Sequence, residues 1–259
     1  MESRVAGLAT ETGLQVVVAP SLVFYAREKG CRVDRREQAR KVISGLKTVY
    51  PDATCELNFT TPLELLVATI LSAQCTDQRV NMVTADLFKK YRSAEDYAAA
   101  PLGVLEEEIR PTGFFRQKSM ALRAMGRKLV EEFGGEVPRT MEEMIRIPGA
   151  ARKTANVVLG TAFGIPSGVV VDTHVRRLAY RLGLSDETDP AKIEKDLMAV
   201  VPRDEWVWFG HAIIWHGRRT CFARTPACDA CALEPFCPRR GVGGPSKTRR
   251  RARPAAKPG

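Results

Sequence analysis

No stretch of eighteen or more apolar residues occurs in the 259-residue chain, so the sequence predicts no membrane-spanning helix. The opening Met1–Pro20 lacks the basic start and unbroken apolar centre of a secretory signal, because Glu2, Thr10, Glu11 and Thr12 interrupt it. Alternating β-branched runs are scarce, and no repeat of solenoid period is present, which argues against sheet-rich and solenoid folds. Acidic residues are missing altogether from residues 238–259. That tail instead holds Arg239, Arg240, Lys247, Arg249, Arg250, Arg251, Arg253 and Lys257.

Hydrophobic residues make up 44% of the chain and charged residues 27%, a balance that fits one large globular domain or two small ones. The net charge is +10, which points to a polyanionic partner, nucleic acid first. Most of that excess lies in the basic tail, however, and the body is close to neutral. The tail reads equally well as a non-specific grip on phosphates or as a solubilising end. Of the seven cysteines, Cys31, Cys55 and Cys75 are scattered, whereas Cys221, Cys228, Cys231 and Cys237 fall close together. Such usage suits ligands and free thiols in a reducing cytoplasm.

From Asp34 onward the chain reads as helix after helix, and the expected fold class is all-α. Arg35–Tyr50 places Ala39, Val42, Ile43 and Leu46 on one face and stops at Pro51. Thr61-Pro62-Leu63-Glu64 combines a capping hydroxyl, a proline suited to the first helical position and a glutamate able to reach back. The following Leu65–Leu71 is apolar nearly all round, as in a central buried helix. Further helices are expected over Arg79–Tyr91, Ser93–Ala100, Leu102–Arg110, Gln117–Phe133, Met141–Arg146, Arg152–Phe163, Thr173–Leu182, Pro190–Val200 and Asp204–Gly217. Residues 1–33 show no clean period and are expected to form an extension of uncertain order.

Three features carry chemistry. The first is the turn Ile147-Pro148-Gly149-Ala150-Ala151 between two helices. It leaves free backbone N–H groups at a helix N-terminus, where a phosphate can sit, and Arg152 adds a charged donor. Taken alone it is also an ordinary helical hairpin. Lys153 lies in the first turn of the second helix, where the positive end of the dipole disfavours an ammonium ion. With some desolvation its pKa should fall, freeing a neutral amine for nucleophilic attack; otherwise it is a phosphate contact.

The second feature is Val169-Val170-Val171-Asp172, a buried apolar run ending abruptly in an acid that heads a helix. Asp172 is by default an N-cap, and in a partly apolar cleft it can also stabilise developing positive charge or assist proton transfer. His174 either donates to a phosphate or packs. The third feature is Cys221-x6-Cys228-x2-Cys231-x5-Cys237, with Arg218, Arg219 and Arg224 around it as a basic rim. By ligand chemistry alone, four thiolates on this loop suit either zinc or an iron–sulfur cluster, in a structural role.

Together these pieces resemble the endonuclease III family of DNA glycosylase/AP lyases, over about Asp34 to Cys237. The motifs that carry the resemblance are Leu71-Ser72-Ala73-Gln74-Cys75-Thr76-Asp77, the hairpin Ile147–Ala155, Val171-Asp172-Thr173-His174, His216-Gly217-Arg218 and the 6-2-5 cysteine spacing. The resemblance implies a [4Fe-4S] cluster on Cys221, Cys228, Cys231 and Cys237. It also implies two helical lobes with a DNA-binding cleft between them. One lobe is a six-helix barrel with the helix–hairpin–helix over 54–165. The other is a cluster lobe built from 34–53 and 166–238, followed by the basic tail 239–259.

Further, it implies that Lys153 is the Schiff-base nucleophile and Asp172 its carboxylate partner. Gln74 would fill the gap left by a flipped base, Phe114 would be the wedge on the opposite loop, and Gly149, Ala151, Arg152 and His174 would hold the DNA. The implied partner is double-stranded DNA bearing oxidised pyrimidines or abasic sites, met by a monomer in a bacterial cytoplasm. One departure stands out: the family hairpin carries a second glycine where this chain has Ala151. Its Cβ restricts φ and crowds the phosphate approach, which predicts slightly weaker DNA binding. The competing readings are a monofunctional adenine-removing glycosylase, against which Lys153 argues, and a non-catalytic DNA-binding module.

Overall fold

The computed structural model describes residues 34–243; the expected extension over 1–33 and all but the first five residues of the tail lie outside that range. Among the described residues every regular element is a helix. No helix there is long and apolar enough to cross a membrane.

The chain runs through α1 (Arg35–Val49), α2 (Pro62–Leu71), α3 (Asp77–Lys90), α4 (Ala94–Ala99), α5 (Leu102–Ile109) and α6 (Phe115–Phe133). It continues through α7 (Met141–Met144), α8 (Arg152–Phe163), α9 (Thr173–Arg181), α10 (Pro190–Val200) and α11 (Trp206–Arg219). The strongest start signal in the sequence is realised in full. Glu64 N–H donates to Thr61 Oγ1 at 3.1 Å and Thr61 N–H to Glu64 Oε2 at 3.3 Å, with Pro62 at the first position. Behind that cap, every residue from Leu65 to Leu71 is buried. Burying each of its leucines contributes about 1.5–3 kcal/mol, so α2 anchors its lobe.

Several boundaries differ from the periodicity. Helix α3 begins at Asp77 because the Thr76 hydroxyl caps it. Helix α6 begins at Phe115, directly after a left-handed residue. Helix α7 is a single turn, ending at Met144. Helix α11 begins at Trp206 because Arg203–Glu205 form a 3₁₀ turn, and it continues to Arg219.

Two hydrophobic cores organise these helices. One gathers Leu57, α2, α3, α4, α5, α6, α7 and α8. The other gathers α1, α9, α10 and α11 together with Leu233. They meet at the extended segment 168–171. Val169 is buried in the second core and Val170 in the first, because successive side chains of an extended backbone point to opposite faces. Ile214 of α11 packs against both.

Helices α4 and α6 pack tightly at Gly126. A Cβ there would stand 2.6 Å from both Ala94 O and Ala98 N, and 2.9 Å from Tyr97 Cβ. Backbone atoms cannot give way as a flexible side-chain end can. We therefore expect G126A to lower stability by about 1–3 kcal/mol in urea unfolding, despite its gain in helix propensity.

Candidate active site and cysteine centre

The hairpin is built as the sequence suggested. Ala150 N–H donates to Ile147 O at 3.0 Å, closing the turn, and Gly149 stands at φ +83°. That conformation suits glycine, and a Cβ there would also press on Ile70 Cδ1 at 3.2 Å. Ala151 is the N-cap of α8 and its side chain caps nothing, so the first amides of α8 have no side-chain partner. Its φ is −70°, an ordinary value for alanine. The expected backbone restriction at Ala151 is therefore absent, and only its Cβ distinguishes it from glycine.

Lys153 is exposed in the first turn of α8. The folded chain alone does not supply the desolvation anticipated for its amine; the dipole of α8 remains. Arg152, expected to reach a phosphate, is instead engaged within the protein. Its Nε and Nη2 donate to the two carboxylate oxygens of Glu194, at 2.7 and 3.1 Å. Glu194 also accepts from Asn156 Nδ2 at 2.8 Å, and Asn156 Oδ1 accepts from Ser167 Oγ at 2.9 Å. Glu194 is buried on α10, so this network fastens the first turn of α8 to the other core. Gly168 makes room for it, since a Cβ there would lie 2.0 Å from Glu194 Oε1.

Asp172 follows the extended Val169–Val171 run and caps α9, with Oδ1 accepting from Val175 N–H at 2.8 Å. It is half-buried, so the cap holds its carboxylate while leaving it reachable. His174, half-buried in the next turn, has Nδ1 3.2 Å from Arg177 Nη2.

Gln74 and Phe114 share an unusual backbone. Both are exposed and both lie in the left-handed region, at φ +53° and +50°. Phe114 is 58% exposed, so an aromatic ring is displayed to solvent from a strained turn. Strain of this kind persists where surrounding structure holds it, often at functional positions.

An open cavity lies beside the Gln74 loop. Cys75, Thr76, Asp77 and Met82 line one side, and His174 and Arg218 line the other. Its charge is largely compensated. Arg218 pairs with Glu56 and, at 2.6 Å, with Asp77, while Arg219 pairs with Glu56 at 2.8 Å and stacks over Trp215. The basic rim expected around the cysteines is therefore neutralised at Arg218 and Arg219; Arg224 is exposed.

Cys221, Cys228, Cys231 and Cys237 line a single cavity with Arg181 and His216. Among the described residues no three His, Cys, Asp or Glu side chains are close enough together to share one metal ion. Four thiols lining one cavity are a donor set that either zinc or an iron–sulfur cluster can take. Arg181 Nη1 donates to Cys221 Sγ at 3.3 Å, and its guanidinium also holds the carbonyls of Phe222 and Ala223, each at 2.7 Å. His216 Nε2 is 3.5 Å from Cys231 Sγ. Burial pushes the Cys231 and Cys237 thiols above the usual cysteine value, whereas a cationic centre would hold them as thiolates.

Comparison with known proteins agrees with this geometry. Residues 67–203 match the model of the HhH-GPD superfamily of base excision DNA repair proteins. Endonuclease III of Synechocystis sp. is 53% identical over 204 residues, covering 79% of this chain and 93% of that protein. The chain belongs to the endonuclease III family. A solved structure of a non-covalent endonuclease III–DNA complex superposes with a TM-score of 0.75 at 44% identity, covering 79% of this chain and 95% of that one. A trapped endonuclease III–DNA covalent intermediate also superposes at 0.75, with 43% identity, covering 79% and 96% of the two chains.

Within this endonuclease III-family chain, the residues that motif reading passed over are polar ones at core positions. Glu194 sits between the buried Ile193 and Leu197, and Asn156 between Ala155 and Val157. A charge or amide on a buried stripe is the signal that marks them. We expect E194A to cost about 1–3 kcal/mol in urea unfolding, since it strands Asn156 and part of Arg152. The half-exposed Arg152 can turn to water, which keeps the loss below that of a fully buried pair.

Proposed function

We propose that this chain removes oxidised pyrimidines from duplex DNA and cleaves the resulting abasic site, with Lys153 as nucleophile and Asp172 as its carboxylate partner. The observation that carries this reading is the shared anchoring of those two residues. Lys153 stands in the first turn of a helix tied by Arg152 and Asn156 to Glu194, and Asp172 ends the extended segment on which that same network closes. Asp172 is held by its own cap.

The chemistry follows from these groups. The damaged nucleotide leaves the stack, Gln74 fills the gap, and Phe114 enters the opposite side as a wedge. The free amides behind Gly149 and Ala151 take a backbone phosphate, and His174 contributes from the α9 side. Contact with DNA covers the exposed Lys153 and brings its amine to the sugar. The amine then bonds to C1′ as the glycosidic bond breaks, the electron pair leaving with the base. Asp172 stabilises the positive charge that develops at C1′. A proton passes from nitrogen to O4′ as the C1′–O4′ bond opens and the nitrogen lone pair forms the C=N bond, giving a protonated imine. Removal of a C2′ proton expels the 3′ phosphate and cuts the strand.

Cys221, Cys228, Cys231 and Cys237 would hold a [4Fe-4S] cluster, whose contribution when bound is a structural crosslink of the loop after α11. In our reading the protein acts as a monomer on DNA in the cytoplasm, with residues 54–165 as the barrel lobe and 34–53 plus 166–238 as the cluster lobe.

Borohydride reduction during turnover of a duplex containing an oxidised pyrimidine should trap a covalent complex with the native chain and none with K153A. A complex that persists in K153A would refute the assignment. The purified protein should be brown and carry about four irons per chain, the content of a [4Fe-4S] centre; a colourless zinc protein would refute the cluster.

A further inference from the structure

Lys118 has no part in the chemistry above, yet it is a lysine on a core stripe. It lies in the first turn of α6, in register with the buried Leu122, Met125 and Leu129, and only 5% of it is exposed. Taking an ammonium out of water is costly unless its donors are met. Here Nζ donates to Leu71 O and to Thr112 O, each at 2.8 Å. These charge-assisted bonds satisfy two of its three donors.

The identity of the two acceptors is the informative point. Leu71 is the last residue of α2, three residues before Gln74; Thr112 ends the 3₁₀ turn Arg110–Thr112, two residues before Phe114. One buried cation therefore bridges the bases of the two loops whose tips are exposed and left-handed. The Leu71 carbonyl belongs to the C-terminal end of α2, where a cation is also favoured by the helix dipole. An apolar side chain of similar length would fill the space but could not join the two carbonyls.

We propose that Lys118 is a positioning residue that sets the separation of Gln74 and Phe114, so that both tips enter the duplex in register when a nucleotide is extruded. This inference rests on the DNA-extruding role proposed for those two residues. Burial holds the Lys118 pKa below the usual lysine value, and the neutral amine still carries two donors, so the strap works in either state. It acts on extrusion and gap filling, leaving the chemistry at Lys153 unchanged.

The test uses the full chain and two substrates: a duplex carrying an oxidised pyrimidine, and a single-stranded oligonucleotide carrying an abasic site, which needs neither extrusion nor gap filling. K118M should slow processing of the duplex by about ten-fold or more while leaving single-strand cleavage within about two-fold of the native chain. K118Q, which retains donors for one carbonyl, should fall between them. A 2-aminopurine placed opposite the lesion should lose its rise in fluorescence in step with the duplex rate. Equal losses on both substrates, or no loss on either, would overturn the proposal, as would failure of both variants to fold. Unchanged duplex processing by both Gln74→Ala and Phe114→Ala would instead count against the extruding role on which the inference rests.

Discussion

The first turn of α8 is fastened to the opposite core by one buried carboxylate. Glu194 accepts from three nitrogens, two of Arg152 and one of Asn156, and Gly168 of the segment 168–171 lies against it. Lys153 and Asp172 both stand on segments next to this network. One residue leads the helix that Glu194 grips, and the other ends the segment whose Ser167 joins the same network. A first turn anchored from outside its own core can present an amine on an exposed surface without that surface drifting.

The same logic recurs at the loops that carry Gln74 and Phe114. Left-handed backbone at Gln74 and Phe114 stores strain of about 1–3 kcal/mol per residue, which the surroundings must hold in place. Lys118 lies beneath both loops and bonds to the carbonyl at the base of each. At the cysteine loop the holding group is Arg181, whose guanidinium binds one sulfur and two carbonyls. In each place a buried or half-buried charge from a helix fixes irregular backbone, and the groups assigned to chemistry sit on that backbone rather than in the cores.

Much of the fold was legible because local signals and burial agreed. Thr61–Glu64 and the apolar Leu65–Leu71 specify the start and depth of α2 independently of anything distant, and Gly134 closes α6 in the left-handed region. The proposed site residues were legible as motifs: turn chemistry at Gly149, a cap at Asp172 and the cysteine spacing. Partner choice was not legible. Arg152 reads as a phosphate donor until α10 brings Glu194 beside it from 42 residues away. Arg218 and Arg219 read as a basic rim until Glu56 neutralises them across 162 and 163 residues. The exposure of Phe114 followed only from the family resemblance, because nothing local signals a left-handed turn at a residue type that rarely adopts one.

The proposed chemistry depends on Lys153 as the amine that bonds to C1′. Peptide mapping of the borohydride-trapped complex by mass spectrometry addresses this directly, because reduction leaves a permanent sugar adduct on whichever nitrogen attacked. The adduct is expected on the peptide containing Lys153 and on that side chain alone. An adduct on any other lysine, or on the terminal amine, would contradict it.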